Sequence, residues 1–130
     1  MPVTYSVSIE VPNLDDGIRF YGHVFGYVEA ARPVEGYVVL KSGDSRIGLL
    51  EKAAGSKPAV GSDEVRHYER HWTPVHVDFR VEDFEKTLEA ALIAGAKCEQ
   101  KFDGGNHSPI AFCSDPFGNG FCLLGKNPSK

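Results

Sequence analysis

The chain has 130 residues, of which 42% are hydrophobic and 25% are charged, and its formal net charge is −4 at pH 7. This length is enough for one compact domain with its own core but not for two independent domains. Because phosphate binding requires a basic stripe, the acidic balance argues against nucleic acid as a partner. The apolar runs are too short to span a bilayer, so the sequence also predicts no membrane partner.

Cysteine usage and the first residues bear on the cellular compartment. The chain has three cysteines, an odd and sparse set that does not suggest a disulfide framework. Residues 1–4 lack the basic start and the apolar run of a signal peptide. Both features favour a reducing environment, and we expect a cytoplasmic protein.

The first half of the chain predicts a strand, a helix and three more strands. Apolar and polar residues alternate over residues 7–11, which is typical of a half-buried strand. Asn13 is a good N-cap for a helix that ends near Phe25, with Gly26 as a left-handed stop. Further strands are predicted over residues 27–31, 37–41 and 46–51. Helical spacing predicts a buried face made of Ile18, Tyr21, Val24 and Phe25.

The second half predicts the same order of elements. A strand over residues 76–81 leads into a helix capped by Asp83 and stopped at Gly95. Three more strands follow over residues 97–101, 110–113 and 120–124, the last two joined by a tight turn over residues 115–119. The predicted buried stripe of this helix is Phe84, Leu88, Ala91 and Leu92.

The two halves are therefore a repeat. Residues 77–84 repeat the strand and helix start of residues 7–14, and Leu123-Leu124 repeats Leu49-Leu50. We expect a single domain built from two modules, residues 4–52 and 74–126, whose sheets surround a concavity. Residues 53–73 join them, either as a surface linker or as a lid over the cavity.

Two sequence features together resemble a known family. The stretch Val-Pro-Asn-Leu-Asp-Asp-Gly-Ile-Arg-Phe-Tyr follows the first strand, and the turn Asp-Pro-Phe-Gly-Asn precedes the last. This pattern is similar to the glyoxalase / bleomycin-resistance / dioxygenase family, the vicinal oxygen chelate group. The resemblance implies an α+β fold of two tandem βαβββ modules that form a cup-shaped curved sheet. It also implies a homodimer, in some members with modules exchanged between chains.

The resemblance further implies a divalent metal, held by His, Glu or Gln side chains on the first and last strands of each module. Carried over to this chain, the four metal positions are Ser6, Gly48, His76 and Cys122. Only His76 keeps the usual chemistry, since glycine has no side chain and serine is a poor neutral ligand. We therefore expect no metal and no cofactor, and the small residues leave volume for an organic ligand.

Strand alternation predicts which other residues line the cup. Glu10 shares a face with Ser6, and Asp78 and Arg80 share one with His76. These charges either orient a ligand or lie in solvent at the rim, and His76 is either a ligand contact or a structural histidine. Trp72 and Tyr37 are candidate stacking surfaces, although core packing explains them equally well. His107, in the loop before a strand, is a further candidate.

One cysteine pair supports a separate hypothesis. If the last hairpin is symmetric about the bond between Phe117 and Gly118, Cys113 lies opposite Cys122. With His76, the two sulfurs would hold a soft metal or form a redox pair. The alternative is two reduced thiols that only fill space.

The leading functional hypothesis is a metal-independent protein that binds and sequesters a small amphipathic or aromatic molecule, resembling the bleomycin-resistance branch. The alternative is an enzyme of the lyase, isomerase or dioxygenase kind, either with an atypical metal site or with acid–base chemistry from His76 and Glu10 or Asp78. A dimeric scaffold without a ligand is the third hypothesis. The sequence leaves the identity of the ligand open.

Overall fold

The computed structural model describes residues 2–127, which fold as two compact units that meet in sequence between Tyr68 and Glu69. The first unit contains β1 (Ser8–Val11), α1 (Leu14–Phe25), β2 (Val28–Val34), β3 (Tyr37–Ser42) and β4 (Ser45–Glu51). The second contains β5 (Val77–Arg80), α2 (Phe84–Ile93), β6 (Lys97–Phe102), β7 (Ile110–Ser114) and β8 (Gly120–Leu124). The predicted α+β fold of two βαβββ modules is confirmed.

Each unit has one four-stranded sheet of the same topology. The strand order is β1-β4-β3-β2 in the first sheet and β5-β8-β7-β6 in the second. The first strand of each unit pairs in parallel with the last, and the other pairs are antiparallel. Parallel pairing of first and last strands requires a long crossover, which the helix and the two middle strands provide. Among residues 2–127, no helix has the length and apolar character to cross a membrane.

Helix α1 begins and ends where the sequence predicts. The side chain of Asn13 accepts a hydrogen bond from the backbone N–H of Asp16 at 3.0 Å. Gly26 adopts the left-handed conformation, with φ of 76°. The buried face differs from the prediction, because Phe20 is buried whereas Ile18 and Phe25 are only half-buried.

The position of Gly17 explains this rotation of the buried face. A Cβ atom on Gly17 would lie 3.1 Å from Leu49 and 3.2 Å from Val11, so the helix backbone packs directly on the sheet at this point. Residues three, four and seven positions later, Phe20, Tyr21 and Val24, then face the sheet as well. Ile18 lies about 100° around the helix from Gly17 and is half-exposed.

Helix α2 packs with a narrower stripe than predicted. Asp83 caps it, accepting from the backbone N–H of Lys86 at 3.1 Å. Phe84, Leu88 and Ala91 are buried, but Leu92 is 43% exposed, so its predicted burial is wrong. The reason is geometric, because Leu92 lies about 100° around the helix from Ala91, the last residue of the stripe.

The loop of the last hairpin has an odd number of residues, so the predicted pairing of Cys113 with Cys122 is wrong. The carboxylate of Asp115 accepts from the backbone N–H groups of Phe117 and Asn119 at 2.8 and 3.0 Å. Asp115 N–H also donates to the carbonyl of Asn119 at 2.8 Å, which closes a loop of three residues centred on Phe117. Cys113 therefore lies opposite Phe121, and Cys122 lies opposite Phe112. The two thiols belong to opposite faces of the sheet.

Candidate functional site

The second unit contains a cavity of about 350 Å³. The face of its sheet opposite α2 supplies most of the wall, because β8, β7 and β6 each place a side chain there by strand alternation. Residues just before β5 complete the lining. Its members include Trp72, His76, Gln100, Phe112, Gly120 and Cys122. The sequence predicted three of these as ligand contacts: Trp72, His76 and Cys122.

An ion pair closes one side of this cavity. Arg70 donates two hydrogen bonds to the carboxylate of Glu99, from Nε at 2.6 Å and from Nη2 at 3.0 Å. Both side chains line the cavity. These hydrogen bonds hold the pKa of Glu99 below its usual value, while they raise the pKa of Arg70. Because the positive charge of Arg70 is paired with the negative charge of Glu99, this side of the cavity is polar but has no net charge.

Gly120 makes room for this ion pair. A Cβ atom on Gly120 would lie 3.0 and 3.1 Å from the two terminal nitrogens of Arg70. The backbone N–H of His71 donates to the carbonyl of Gly118 at 3.1 Å, and this bond fixes the segment that carries Arg70. The absence of a side chain at position 120 therefore allows the guanidinium to lie directly on β8.

Three polar side chains meet where β5 and β8 lie side by side. Asp78 is opposite Cys122 in the parallel register, and His76 lies two residues before Asp78. The Asp78 carboxylate accepts a hydrogen bond from Nδ1 of His76 at 2.7 Å. This arrangement leaves Nε2 of His76 as the nitrogen available to a ligand. His76 is 46% exposed and Asp78 is 41% exposed, so both are reachable from solvent.

The Cys122 thiol is buried beside this pair. Burial, followed by the charge and hydrogen bond of Asp78, raises the pKa of Cys122 to about 11. At neutral pH the sulfur is therefore a protonated, weakly polar group. It contributes contact surface and a weak donor to the cavity wall.

Different side chains occupy the corresponding positions of the first sheet. Ser6 is exposed and precedes β1, and Gly48 is opposite Ser8 in the register. A Cβ atom on Gly48 would lie 2.8 Å from Cε1 of Tyr37 and 3.4 Å from Oγ of Ser8. The ring of Tyr37 thus occupies the space in front of Gly48.

Glu10 has a partner that the sequence did not indicate. Arg66 donates to its carboxylate from Nε at 2.7 Å and from Nη2 at 3.0 Å. Arg66 also donates from Nη1 to the carbonyl of Lys57 at 2.8 Å. This network ties the segment after β4 to β1, and the hydrogen bonds with Glu10 raise the pKa of Arg66.

The other two predicted residues lie apart from these groups. Arg80 is exposed on β5, opposite Leu124. His107 is exposed, and its Nδ1 bonds the carbonyl of Ser108 at 2.8 Å. Its loop borders a second concavity of about 590 Å³, lined by Gly104, Gly105 and Pro109 but not by His107. Neither residue lines the cavity that contains His76.

Sequence reasoning missed Arg70, Glu99, Gln100 and Phe112. Glu99 is the extra residue of a β-bulge, since Cys98 is opposite Cys113 and Gln100 is opposite Phe112. The bulge breaks the alternation that would otherwise assign faces along β6. Phe112 was accessible to prediction from the alternation of β7, whereas the approach of Arg70 to β8 has no local signal.

The metal implied by the resemblance does not fit the first sheet. Gly48 has no donor atom, and the Tyr37 ring takes the room that a longer side chain would need. In the second sheet, single donor atoms of His76, Asp78 and Cys122 lie within 4.8 Å of one another. These three residues offer one nitrogen, one oxygen and one sulfur, a softer set than the oxygen- and nitrogen-rich one implied. Among residues 2–127, the four positions carried over from the resemblance therefore do not supply the His, Glu and Gln donors that it implies.

Comparison with known proteins agrees with the fold and identifies its class. Two tandem βαβββ units are the architecture of the vicinal oxygen chelate group. The family model for the glyoxalase-like domain matches residues 6–124, and the chain belongs to this family. None of the curated protein sequences matches the chain significantly.

Solved structures share the fold at low sequence identity. Hypothetical protein SA1046 from S. aureus is 19% identical with a TM-score of 0.74, covering 97% of this chain and 95% of its own. The fosfomycin resistance protein FosX from Listeria monocytogenes is 14% identical with a TM-score of 0.72, covering 99% and 97%. Lactoylglutathione lyase from Agrobacterium tumefaciens is 18% identical with a TM-score of 0.64, covering 97% and 96%.

Proposed function

We propose that this protein binds a small amphipathic or aromatic molecule in the cavity of its second unit, without a catalytic metal. The observation that supports this most is the cavity itself. Its volume of about 350 Å³ falls within the range of small-molecule sites, roughly 300–1,000 Å³. The rings of Trp72 and Phe112 lie in its wall together with a few convergent polar groups, which is the usual composition of such a site.

The charges around the cavity define the class of ligand. Arg70 and Glu99 neutralise each other, and the carboxylate of Asp78 is engaged by His76. A ligand therefore meets aromatic faces and hydrogen-bonding groups rather than a strong field of one sign. Apolar burial supplies most of the affinity, and Nε2 of His76 and the amide of Gln100 orient the polar end.

The protein contains its own reporter for this proposal. Trp72 is the only tryptophan of the chain, and it lines the cavity while being 77% exposed. Its fluorescence is titrated with a panel of aromatic and amphipathic compounds in the presence of EDTA. We expect at least one compound to change the emission saturably and to raise the melting temperature by mass action. A panel without a saturable response, in fluorescence and in thermal shift, would contradict the proposal.

A second candidate function, a metalloenzyme with an atypical site, is favoured by one observation. The donors of His76, Asp78 and Cys122 are close enough to share one ion. Zinc and cobalt accept such mixed ligands. Titration with Co²⁺ separates the two candidates, because a cobalt–thiolate bond gives an intense near-ultraviolet band that Cys122→Ser abolishes. The metal-free proposal expects no such band in the native protein.

The assembly and location of the protein are also proposals. We infer a homodimer in the cytoplasm, whose modules are either exchanged between chains or kept within each chain. The edge strand β2 supports the assembly, because every residue of it is exposed, including Val28 and Val34. Light scattering with the purified chain tests the inference, and a monomer mass at micromolar concentration would oppose it.

A further inference from the structure

Cys98 and Cys113 lie directly opposite each other on the antiparallel strands β6 and β7. Directly opposite residues of such strands have Cβ atoms about 4.5–5.5 Å apart, close to the separation that a disulfide spans. Both cysteines are free in this structure. The pair is therefore placed for a cross-strand bond without a change of register.

The two thiols differ in access. Cys98 is half-buried on the edge strand, and its sulfur lies 3.8 Å from the carbonyl oxygen of Gln100. Cys113 is only 1% exposed, and burial followed by the neighbouring Cys98 raises its pKa to about 12. An oxidant arriving from solvent meets Cys98 first. Cys113, which is buried and borders the cavity, lies opposite Cys98 in position to react with it once it is oxidised.

The third cysteine does not compete for this bond. Cys122 is opposite Phe112 in the register, on the other face of the sheet from Cys113. Its neighbours on that face are Asp78 and His76 rather than the other two thiols. Among the described residues, Cys98 and Cys113 are the pair of cysteines that the strand register brings face to face.

We propose that Cys98 and Cys113 form a reversible intramolecular disulfide when the protein meets a peroxide. The Cys98 sulfur attacks one peroxide oxygen, the O–O bond breaks, and a sulfenic acid and one water form. The Cys113 sulfur then attacks the sulfenic sulfur, the S–S bond forms, the S–O bond breaks, and a second water leaves. The two thiols lose two electrons and two protons, and one hydrogen peroxide becomes two waters.

The bond would have a local structural consequence. It would link the edge strand β6 to β7 next to the bulge that carries Glu99. Because Glu99 holds Arg70 at the cavity wall, oxidation would stiffen one side of the cavity. The oxidised chain should also unfold at a higher temperature, because the cross-link restricts the unfolded state. This inference does not depend on the proposed ligand function.

Mass spectrometry of the full chain tests the proposal. The reduced protein is treated with hydrogen peroxide at a small molar excess, quenched, unfolded and alkylated. Apart from the alkyl groups, we expect a product two hydrogen atoms lighter than the reduced chain. One cysteine should be alkylated in place of three, and treatment with a dithiol before alkylation should restore all three free thiols. Cys122→Ser should give the same disulfide, whereas Cys98→Ser should not. Cys98→Ser changes a half-exposed side chain, so its folding is checked by circular dichroism.

Three outcomes would overturn the proposal. The first is stable sulfinic acid at Cys98 without an intramolecular bond, and the second is a disulfide-linked dimer through Cys98. The third is loss of the disulfide in Cys122→Ser, which would show that Cys122 is the true partner. Trypsin separates Cys98 from the peptide that contains Cys113 and Cys122, so the single variants identify the linked residue.

Discussion

The ring of Tyr37 fills the space in front of Gly48, since a Cβ atom at position 48 would lie 2.8 Å from Cε1 of that ring. This contact closes the first-sheet position at which the resemblance implies a metal ligand. The equivalent position of the second sheet, Cys122, instead contributes to an open cavity. The two sheets share a topology, but the side chains at the corresponding positions fill the space in one and leave a cavity in the other.

Substitution of Gly48 tests the Tyr37 contact. Gly48→Ala should reduce the free energy of unfolding by about 1–3 kcal/mol, because the added methyl group forces the ring away. Tyr37→Ala should remove most of that penalty, giving a coupling of about 1–2 kcal/mol in a double-mutant cycle measured by urea denaturation. Gly120→Ala is the matched control, since it meets the flexible end of Arg70 and should cost less. Additive effects of the two first-sheet changes would contradict the contact.

Truncation of Trp72 separates binding from folding. Trp72→Ala should weaken the affinity of a compound found in the titration by roughly two- to tenfold, since an aromatic pair contributes about 0.5–1.5 kcal/mol. The melting temperature should hardly change, because the ring is 77% exposed. Calorimetry replaces fluorescence here, with Tyr5→Ala, another exposed aromatic, as the control. Equal affinities for both variants would mean that the compound binds elsewhere.

His76 should contribute a polar contact to the ligand. His76→Ala removes a hydrogen bond of about 1 kcal/mol, so we expect a loss of affinity of roughly fivefold. Asp78→Asn should also weaken binding, because the amide no longer fixes the hydrogen on Nδ1 of His76. His23→Ala, in an exposed histidine of the first unit, serves as the control. A ligand that binds His76→Ala as tightly as the native protein would exclude this contact.

The pair of Arg70 and Glu99 predicts a pH dependence. The folded pKa of Glu99 lies below its value in the unfolded chain, so the pair stabilises the folded state above the unfolded pKa, about 4.3. That contribution is lost as the pH falls through the folded pKa. Because both side chains are more than a third exposed, it should not exceed about 1 kcal/mol. The gap in stability between native protein and Glu99→Gln should therefore be present at pH 7 and shrink below pH 4.

Low salt is required for this comparison, since exposed ion pairs are screened. The reciprocal variant Arg70→Gln should show the same loss of pH dependence. A gap that stays constant down to pH 3 would show that Glu99→Gln acts through packing and not through its charge.

The three cysteine thiols should differ in how fast they react with a reagent from solvent. Burial raises the pKa of Cys113 to about 12 and that of Cys122 to about 11, so neither forms much thiolate at pH 8. In the native protein, iodoacetamide should alkylate one thiol quickly, and Cys98→Ser should remove that phase. The other two should react only after unfolding. A second fast thiol would indicate that one of the buried cysteines is accessible.

Much of the fold follows from local signals in the sequence. Strand alternation, the caps Asn13 and Asp83, and the repeat at 70 positions predict both βαβββ modules, and the structure confirms them. Local signals failed where one additional residue shifts the register between two strands. The three-residue loop around Phe117 places Cys113 opposite Phe121 instead of Cys122. The bulge at Glu99 changes which side chains of β6 lie on each face of the sheet.

The candidate site was only partly predictable for a related reason. His76 and Cys122 were identified because strand parity and the family pattern indicate those positions, and Trp72 because an aromatic ring is a candidate stacking surface. Arg70 reaches Glu99 across 29 positions, and this contact depends on the path of the chain in space. The Tyr37 ring over Gly48 likewise depends on the register of two strands. Such contacts have no periodic signature in a single sequence.

The central claim is that the second-unit cavity holds an organic molecule without help from a metal. Amide and side-chain NMR spectra of the protein, recorded with and without a compound from the titration and with EDTA throughout, test it most directly. We predict saturable shifts concentrated at Trp72, Phe112 and Cys122, with the same affinity when EDTA is omitted. Shifts that are absent from these residues, or that appear only after a divalent cation is added, would contradict the account.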